Sequence, residues 1–261
     1  MSSSVKDYEK RMLKAYKESL EAILLELLSL FSNVPPEELT SSDLYKYGRN
    51  KKLFEQISHR LKDLGGLEVE NLKDLLRDNY VQEYVKEIYR LNGIKVPEGI
   101  LNIEEAKVQL EGMGVVTNFN SLNEKVIVQV VTHKWVGSNF SDRIWDNKRK
   151  LIRRMRRTLS TSLSMGESIP KITSRLQKEL DSGYYNTVRL ARTEVMRVRN
   201  DSKVKAYKDN DIEKLEWDSS PEQDRTCEVC AARNGKTYPI DHLPTMPAHP
   251  NCRCTWLPVL D

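Results

Sequence analysis

The sequence predicts an α+β fold that is predominantly α, in which helices are followed by a small antiparallel β module with a Cys/His clasp. Apolar residues recur at helical spacing through most of the chain. After Asn210, short β-branched and aromatic runs alternate with turn residues. All four cysteines lie near the C-terminus. We therefore divide the chain into a helical N-terminal region, 1–130, and a module, 131–261, with helices over 141–208 and the β module over 212–261.

The composition predicts a soluble protein with a core. Of the 261 residues, 39% are hydrophobic and 31% are charged, and the mean hydropathy is −0.60. The most apolar stretch, Ala22 to Phe31, is interrupted by Glu26 and is far shorter than the ~20 residues that a membrane-spanning helix needs. Met1–Lys10 lacks the apolar stretch of a signal peptide. We expect neither secretion nor a membrane span.

Element boundaries follow from residues that cap or stop helices. In the N-terminal region these signals predict a helix that ends after Phe31, one that begins after Thr40-Ser41-Ser42 and ends at Gly65-Gly66, one closed by Gly93 and one from Asn102 to Gly112. The later predicted helices are 123–134, where a strand is the alternative, then 141–164, one closed by Gly183, and a long one over 184–208. The predicted strands are Leu215–Asp218, Lys236–Tyr238 and Cys254–Leu257.

Four cysteines and one histidine form the strongest candidate for a metal site. Cys227 and Cys230 are separated by two residues, a spacing that presents two thiolates to one point, as tetrahedral zinc requires. Eighteen residues later, His249 begins a run that contains Cys252 and Cys254, which would share one face of a strand. We expect four of these five donors to hold a structural zinc ion. Reduced structural thiols and disulfides are the alternatives.

Signals of catalysis are weak. There is no phosphate-binding loop, nucleophile elbow or dinucleotide fingerprint. A catalytic zinc is not expected, because no general-base carboxylate stands in a motif such as His-Glu-x-x-His. Glu194 fits a buried ion pair better than a catalytic carboxylate, and His242 is a weaker metal candidate than the five donors. The sequence therefore predicts a protein that is not an enzyme.

A basic run between residues 143 and 157 is the candidate nucleic-acid surface. Asp146 is its only acidic residue, and residues 131–261 as a whole carry 24 Lys and Arg against 17 Asp and Glu. On a helix, such a run can contact successive phosphates without reading bases. A solvated helix face and an acidic protein partner are the alternatives. The predicted contact residues are Lys148, Arg149, Lys150, Arg153, Arg154, Arg156 and Arg157.

Five short motifs follow one another in a fixed order between residues 135 and 258. They are Trp135-x-Gly137-x-x-Phe140-Ser141-x-Arg143-Ile144-Trp145; Ala191-Arg192-Thr193-Glu194 with Arg197 and Asn200; Trp217 with Gln223-Asp224-x-Thr226-Cys227-x-x-Cys230; Asn234-Gly235-Lys236-x-Tyr238; and Pro247-x-His249-Pro250-x-Cys252-Arg253-Cys254. Each motif is loose, but their order and spacing are specific. Together they resemble the Mu F-like head-morphogenesis family, minor capsid proteins of tailed bacteriophages. The first 130 residues carry none of these motifs.

The resemblance implies a non-enzymatic component of the virion that associates with the portal protein inside the head. Scaffolding and major capsid proteins are further expected partners, and packaged double-stranded DNA is an expected, non-specific contact. Its expected location is the phage head, and the host cytoplasm during assembly. Two alternatives of other classes remain. One is a zinc-dependent, nuclease-like enzyme, and the other is a host zinc-binding module that interacts with DNA.

Overall fold

A computed structural model describes residues 4–31, 47–99, 102–115, 119, 122–219 and 226–260. The Thr40-Ser41-Ser42 signal for the start of the second helix, and Gln223 and Asp224 of the third motif, lie outside these ranges. Contacts group the chain into two compact units. The helical unit comprises Lys6–Asn71 and Ser138–Val188, and the sheet unit comprises Met1–Val5, Leu72–Gly137 and Arg189–Asp261. The division of the chain at residue 130 stays a prediction.

The predicted fold class is confirmed: the protein is predominantly helical, with one small antiparallel sheet and a Cys/His cluster near the C-terminus. The described helices are α1 (Val5–Phe31), α2 (Tyr47–Leu91), α3 (Ile103–Gly112), α4 (Glu124–Val131), α5 (Phe140–Ser164), α6 (Ile169–Lys208) and the single turn α7 (Glu228–Ala231). The strands are β1 (Lys214–Asp218), β2 (Thr237–Pro239) and β3 (Thr255–Pro258). No helix within the described residues is long and apolar enough to cross a membrane.

Local capping signals account for several helix starts. Asn102 accepts a hydrogen bond from the backbone N–H of Glu105, as predicted for α3. Asn123 caps α4 in the same way, and residues 124–131 are a helix despite their β-branched composition. A complete capping box joins Asn139 and Asp142 at the start of α5. Each side chain satisfies a backbone N–H that lacks a partner within its helix.

The helical unit is held together by a single apolar core. Leucines such as Leu27, Leu61, Leu159 and Leu176, one from each of four helical segments, are almost fully buried in it. Leu28, which the helical spacing also placed on the apolar stripe of α1, is 47% exposed. Burial of an aliphatic side chain contributes about 1.5–3 kcal/mol. Apolar packing therefore accounts for the order of this unit.

Two predicted helix ends are wrong, and both involve glycines of the helical unit. Gly65 lies inside α2, and Gly183 lies inside α6. A Cβ on Gly65 would lie 2.8 Å from the Trp145 ring, and one on Gly183 would lie 2.8 Å from Cδ2 of Leu151. Both glycines are therefore helix residues at which a neighbouring side chain approaches the backbone closely. They allow that approach, although glycine lowers helix propensity.

In the sheet unit, β1 lies between β2 and β3, and both pairs are antiparallel. Trp217 pairs with Trp256, and their rings pack edge to face with centroids 5.2 Å apart. Tyr238 of β2 packs on the same Trp256 ring. Tyr207 of α6 is fully buried in the same cluster. A small aromatic core thus joins the sheet to the end of α6.

A buried arginine fixes α4 within the sheet unit. Arg197 of α6 is 2% exposed and donates to the carboxylates of Glu194 and Asp201. It also donates to the carbonyl oxygens of Val130 and Val131 in the last turn of α4. The predicted buried ion pair of Glu194 is therefore confirmed.

Candidate functional site

The five predicted metal donors come together in the sheet unit. Cys227 is the residue before the first turn of α7, and Cys230 lies within that turn. His249 belongs to the loop that leads to β3. Cys252 and Cys254 also precede β3 and are not part of it, so the prediction that a strand aligns them is wrong. Both side chains are nevertheless almost fully buried.

The donors form two triads that share one residue. Cys227, Cys230 and His249 are one triad, and Cys230, Cys252 and Cys254 are the other. Within each triad, all ligand atoms lie within 4.8 Å of one another. All four cysteines are free thiols. The cluster can hold a metal ion, and a four-coordinate ion needs donors from both triads.

The spacing of the donors fits zinc. Zinc binds sulfur at about 2.3 Å and nitrogen at about 2.0–2.1 Å, so a tetrahedral ion places two sulfurs about 3.8 Å apart and a sulfur and a nitrogen about 3.5 Å apart. The Sγ atoms of Cys230 and Cys252 are 3.8 Å apart. His249 Nε2 lies 3.2 Å from Cys227 Sγ and 3.4 Å from Cys230 Sγ. Three measured edges are therefore close to those of a zinc tetrahedron.

Local hydrogen bonds prepare the histidine for binding. His249 Nδ1 lies 2.9 Å from the carbonyl oxygen of Pro250. That bond raises the pKa of His249 and places the Nδ1 proton toward the carbonyl. Nε2 is then the nitrogen that faces the thiols of Cys227 and Cys230. This is the arrangement in which a neutral imidazole offers its lone pair to a metal.

The four thiols differ in acidity. The backbone N–H of Cys230 lowers the pKa of Cys227, while burial raises the pKa of Cys230 to about 12. The hydrogen bond between the thiols of Cys252 and Cys254 lowers the pKa of Cys252 to about 5 and raises that of Cys254. Without a metal, the cluster shares few negative charges among several sulfurs. Metal binding releases the remaining protons, because thiolate is the ligand form.

Helix α6 positions the loop that carries the second triad. The Asn200 amide donates to the Cys254 carbonyl oxygen at 3.1 Å, and its oxygen accepts from the Trp256 N–H at 3.0 Å. Two helical turns before Asn200, Thr193 Oγ1 accepts a hydrogen bond from the Asn251 N–H at 3.0 Å. Asn251 has a φ of 62°, a left-handed conformation that asparagine tolerates better than most residues. These contacts fix the backbone on both sides of Cys252.

Thr193 and Asn200 belong to one of the five sequence motifs, but the sequence did not predict a role for either residue. Their spacing of seven residues places them on the same face of a helix, and this was the available signal. Trp135 is also part of a motif, and its role was not predicted either. Its ring N–H donates to the Pro247 carbonyl oxygen at 3.1 Å. His242 is exposed and belongs to neither triad.

In the helical unit, the structure separates the seven predicted nucleic-acid contacts. Lys148 is 2% exposed, forms an ion pair with Glu68 and donates to the hydroxyl of Tyr16, which lies 2.8 Å from the hydroxyl of Thr187. A lysine held in this way is not available to a phosphate, so its assignment to the contact surface is wrong. The helical period alone could not reveal this, because Glu68 is distant in sequence.

The other six basic residues lie at or near the surface of α5. Arg149 and Lys150 are exposed beside Asp146, and Lys150 lowers the pKa of that carboxyl. Arg154 is half-buried and donates to Glu179, and Arg156 donates to Ser58 and the Phe54 carbonyl oxygen. Arg153 and Arg157 are exposed. The accessible positive charge of α5 therefore comes mainly from Arg149, Lys150, Arg153 and Arg157.

Comparison with known proteins finds a family similarity over part of the chain. Residues 153–257 match the family of Phage Mu protein F like proteins. No curated protein matches the chain with significance, and no solved structure does so either. The matched range includes all five metal donors, Thr193 and Asn200, and the three strands up to Leu257. The predicted resemblance is confirmed over this range: residues 153–257 are similar to a Mu F-like phage head protein segment.

Proposed function

We propose that this chain is a minor head protein that takes part in head morphogenesis by binding other components of the particle. The family match over residues 153–257 is the observation that carries the proposal. The portal protein is the first proposed partner, and scaffolding and major capsid proteins are further ones. The proposed location is the interior of the head, after assembly in the host cytoplasm. Several weak contacts repeated around a symmetric ring can hold such a protein, because linked contacts raise the effective concentration.

A co-assembly experiment tests this role. The chain is co-expressed with the portal, scaffolding and major capsid proteins from its own genome, and procapsids are purified with and without the portal gene. We expect the chain in portal-containing particles and its depletion from particles that lack the portal. Its absence from both would contradict the proposal. Nuclease activity of the purified chain on plasmid DNA would instead favour the enzyme alternative.

We further propose that a structural zinc ion closes the Cys/His cluster. Cys227, Cys230 and His249 would supply three ligands, and Cys252 or Cys254 the fourth. The spacing of the donors supports this, because the three measured edges approach those of a zinc tetrahedron. The ion would supply no reaction chemistry here. It would join the turn of α7 to the loop before β3, two segments that are far apart in the chain.

Metal analysis of the purified protein tests the zinc proposal. We expect one zinc ion per chain and thiols that react with a thiol reagent only after a chelator is added. A protein that holds no metal, and whose four thiols react at once in the native state, would contradict it. Replacing zinc with cobalt gives a second readout, because thiolate ligands produce intense charge-transfer absorption and histidine and carboxylate ligands alone do not.

For DNA we propose a non-specific contact through the exposed side chains of α5. Arg149, Lys150, Arg153 and Arg157 support it, because they lie on one helix and face few acids. Lys148 is left out, since it is paired inside the helical unit. The proposed contact reads phosphates and not bases, so it should be sensitive to salt and insensitive to sequence.

A further inference from the structure

A cleft of about 510 Å³ opens in the sheet unit against the Cys/His cluster. Its walls are formed by α6, by Thr226 and the start of α7, and by the loop that carries His249 and Cys252. A volume of this size is typical of pockets that enclose a small ligand or a few residues of a peptide. All five proposed metal donors are part of this lining, so the proposed zinc ion would lie at one side of the cleft and fill only a small part of its volume.

The described lining of the cleft is positively charged. It includes three arginines, Arg192, Arg199 and Arg253, and it contains no Asp or Glu. A zinc ion with three thiolates and one histidine would carry a net charge of −1, and the three guanidinium groups carry +3. Summed over the described lining, the charge therefore stays positive when the metal is bound. Its potential selects an anionic ligand.

The arginines retain the capacity to bind a ligand even where they already have a partner. Arg199 uses its Nε to donate to Asn79. A guanidinium has five N–H donors in a planar fork, so one partner leaves donors for a carboxylate or a phosphate. Arg192 and Arg253 are both exposed at the cleft. They can therefore approach an incoming anion without unfolding the loop.

The rest of the lining distinguishes a peptide from a nucleic acid. Single-stranded nucleic acids are typically held by aromatic side chains on which bases stack. The described lining contains no aromatic residue, and instead has the aliphatic side chains of Val195 and Met196. Methionine adapts its shape to varied apolar partners. Basic and aliphatic groups side by side match a segment in which acidic residues alternate with aliphatic ones.

We propose that this cleft binds an acidic, partly aliphatic peptide segment of another protein, with its carboxylates on Arg192 and Arg253. The inference rests on the proposed function, in which the chain acts by binding other components of the head. It adds the chemistry of one such contact. Arginine and carboxylate form charge-assisted bonds that are often bidentate, so the contact is specific as well as attractive.

A binding titration tests the inference. The probe is the fluorescein-labelled peptide Gly-Asp-Leu-Glu-Asp-Leu-Glu-Gly, titrated with the zinc-loaded full chain and followed by anisotropy. We expect saturable binding that weakens with added salt and disappears when Asn and Gln replace the acids. Arg192→Gln and Arg253→Gln should each weaken it about tenfold, the effect of losing one charge-assisted hydrogen bond. Lys236→Gln is the matched control, because Lys236 is exposed in the same unit and does not line the cleft.

Two outcomes would overturn the inference. One is the absence of saturable peptide binding, or peptide binding that both arginine substitutions leave unchanged, in a protein with normal zinc content. The other is binding of a labelled oligothymidylate that the arginine substitutions abolish while the peptide does not compete, which would assign the cleft to nucleic acid. Co-assembly with the portal separates this failure from that of the proposed function. A chain that enters procapsids but ignores the peptide would refute only the cleft proposal.

Discussion

The helical unit and the C-terminal sheet of this protein are stabilised by different means. Sixteen buried apolar residues from four helical segments form the core of the first. The cluster around the sheet has eight buried members, and three of them are cysteines that belong to the candidate metal centre. The strands that it supports are only five, three and four residues long. Small folds with so little apolar core usually need a metal or disulfides.

This difference indicates that the proposed zinc ion contributes more to the stability of the sheet than to that of the helical unit. In the helical unit, removal of any one contact leaves the rest of a large apolar core in place. In the sheet, the metal would connect α7 to the loop before β3, and binding of zinc to such sites is itself folding free energy.

Cys230→Ser should have the largest effect, because Cys230 is the donor common to both triads. We expect loss of bound zinc and loss of the near-ultraviolet circular dichroism of Trp217 and Trp256, with most of the helical far-ultraviolet signal retained. His242→Gln is the control, since His242 is an exposed metal-binding residue type outside both triads. A Cys230→Ser protein with normal zinc content would contradict the assignment of the shared ligand.

Asn200→Ala should have the next largest effect. It removes two buried hydrogen bonds, to the Cys254 carbonyl oxygen and from the Trp256 N–H. Buried groups left without partners cost about 1–3 kcal/mol each, so we expect the free energy of unfolding to fall by roughly 2–6 kcal/mol. Denaturant unfolding followed by tryptophan fluorescence measures it. Asn210→Ala is the control, because Asn210 is exposed and its side chain donates to the Ala206 carbonyl oxygen. Equal effects of the two substitutions would contradict the positioning role.

A pair of adjacent glycines tests the packing of the helical unit. In Gly65→Ala the new methyl would lie 2.8 Å from the Trp145 ring, and such overpacking costs about 1–3 kcal/mol. In Gly66→Ala the methyl meets nothing within 4 Å, and the helix should gain about 0.5–1 kcal/mol. Thermal unfolding followed at 222 nm compares the two variants. Equal shifts of both midpoints would show that Trp145 does not pack against Gly65.

How far the sequence could predict this structure depended on how local each signal was. Asn102 and Asn123 cap their helices as local patterns indicate, and the three strands lie within a residue or two of their predicted positions. The five metal donors were also identifiable, because cysteine and histidine spacing is a local signal. Each of these features can be predicted from one short stretch of the sequence, without knowledge of what packs against it.

Three of the failed predictions, for Gly65, Gly183 and Lys148, depended on a partner distant in sequence. Gly65 and Gly183 were taken as helix ends because nothing near them in sequence shows that Trp145 and Leu151 approach their backbones. Lys148 was placed on the basic surface because its period matches the neighbouring arginines, while its partner Glu68 lies on another helix. The roles of Thr193 and Asn200 were not predicted for the same reason, because the cysteine loop that they contact is distant from α6 in sequence.

The smallest effect concerns DNA and the exposed side of α5. Arg153→Gln combined with Arg157→Gln should weaken binding to any duplex and lower the slope of log K against log salt by about 2, one for each lost phosphate contact. Titration of a labelled duplex at several salt concentrations measures both quantities. Lys14→Gln is the control, an exposed lysine of α1 that lies beside Glu18. Unchanged binding in the double variant would assign this surface to a protein partner or to solvent.

Hydrogen exchange with and without a chelator tests the central contrast most directly. Amide hydrogen exchange of the zinc-loaded protein is measured by mass spectrometry before and after treatment with the chelator. Peptides that cover β1, α7 and β3 are compared with peptides from α1 and α5. We predict that protection around the strands and α7 falls by orders of magnitude on metal removal, while α1 and α5 keep theirs. Unchanged protection throughout the sheet after complete loss of metal would contradict the account. It would show that apolar packing alone holds both parts of the molecule.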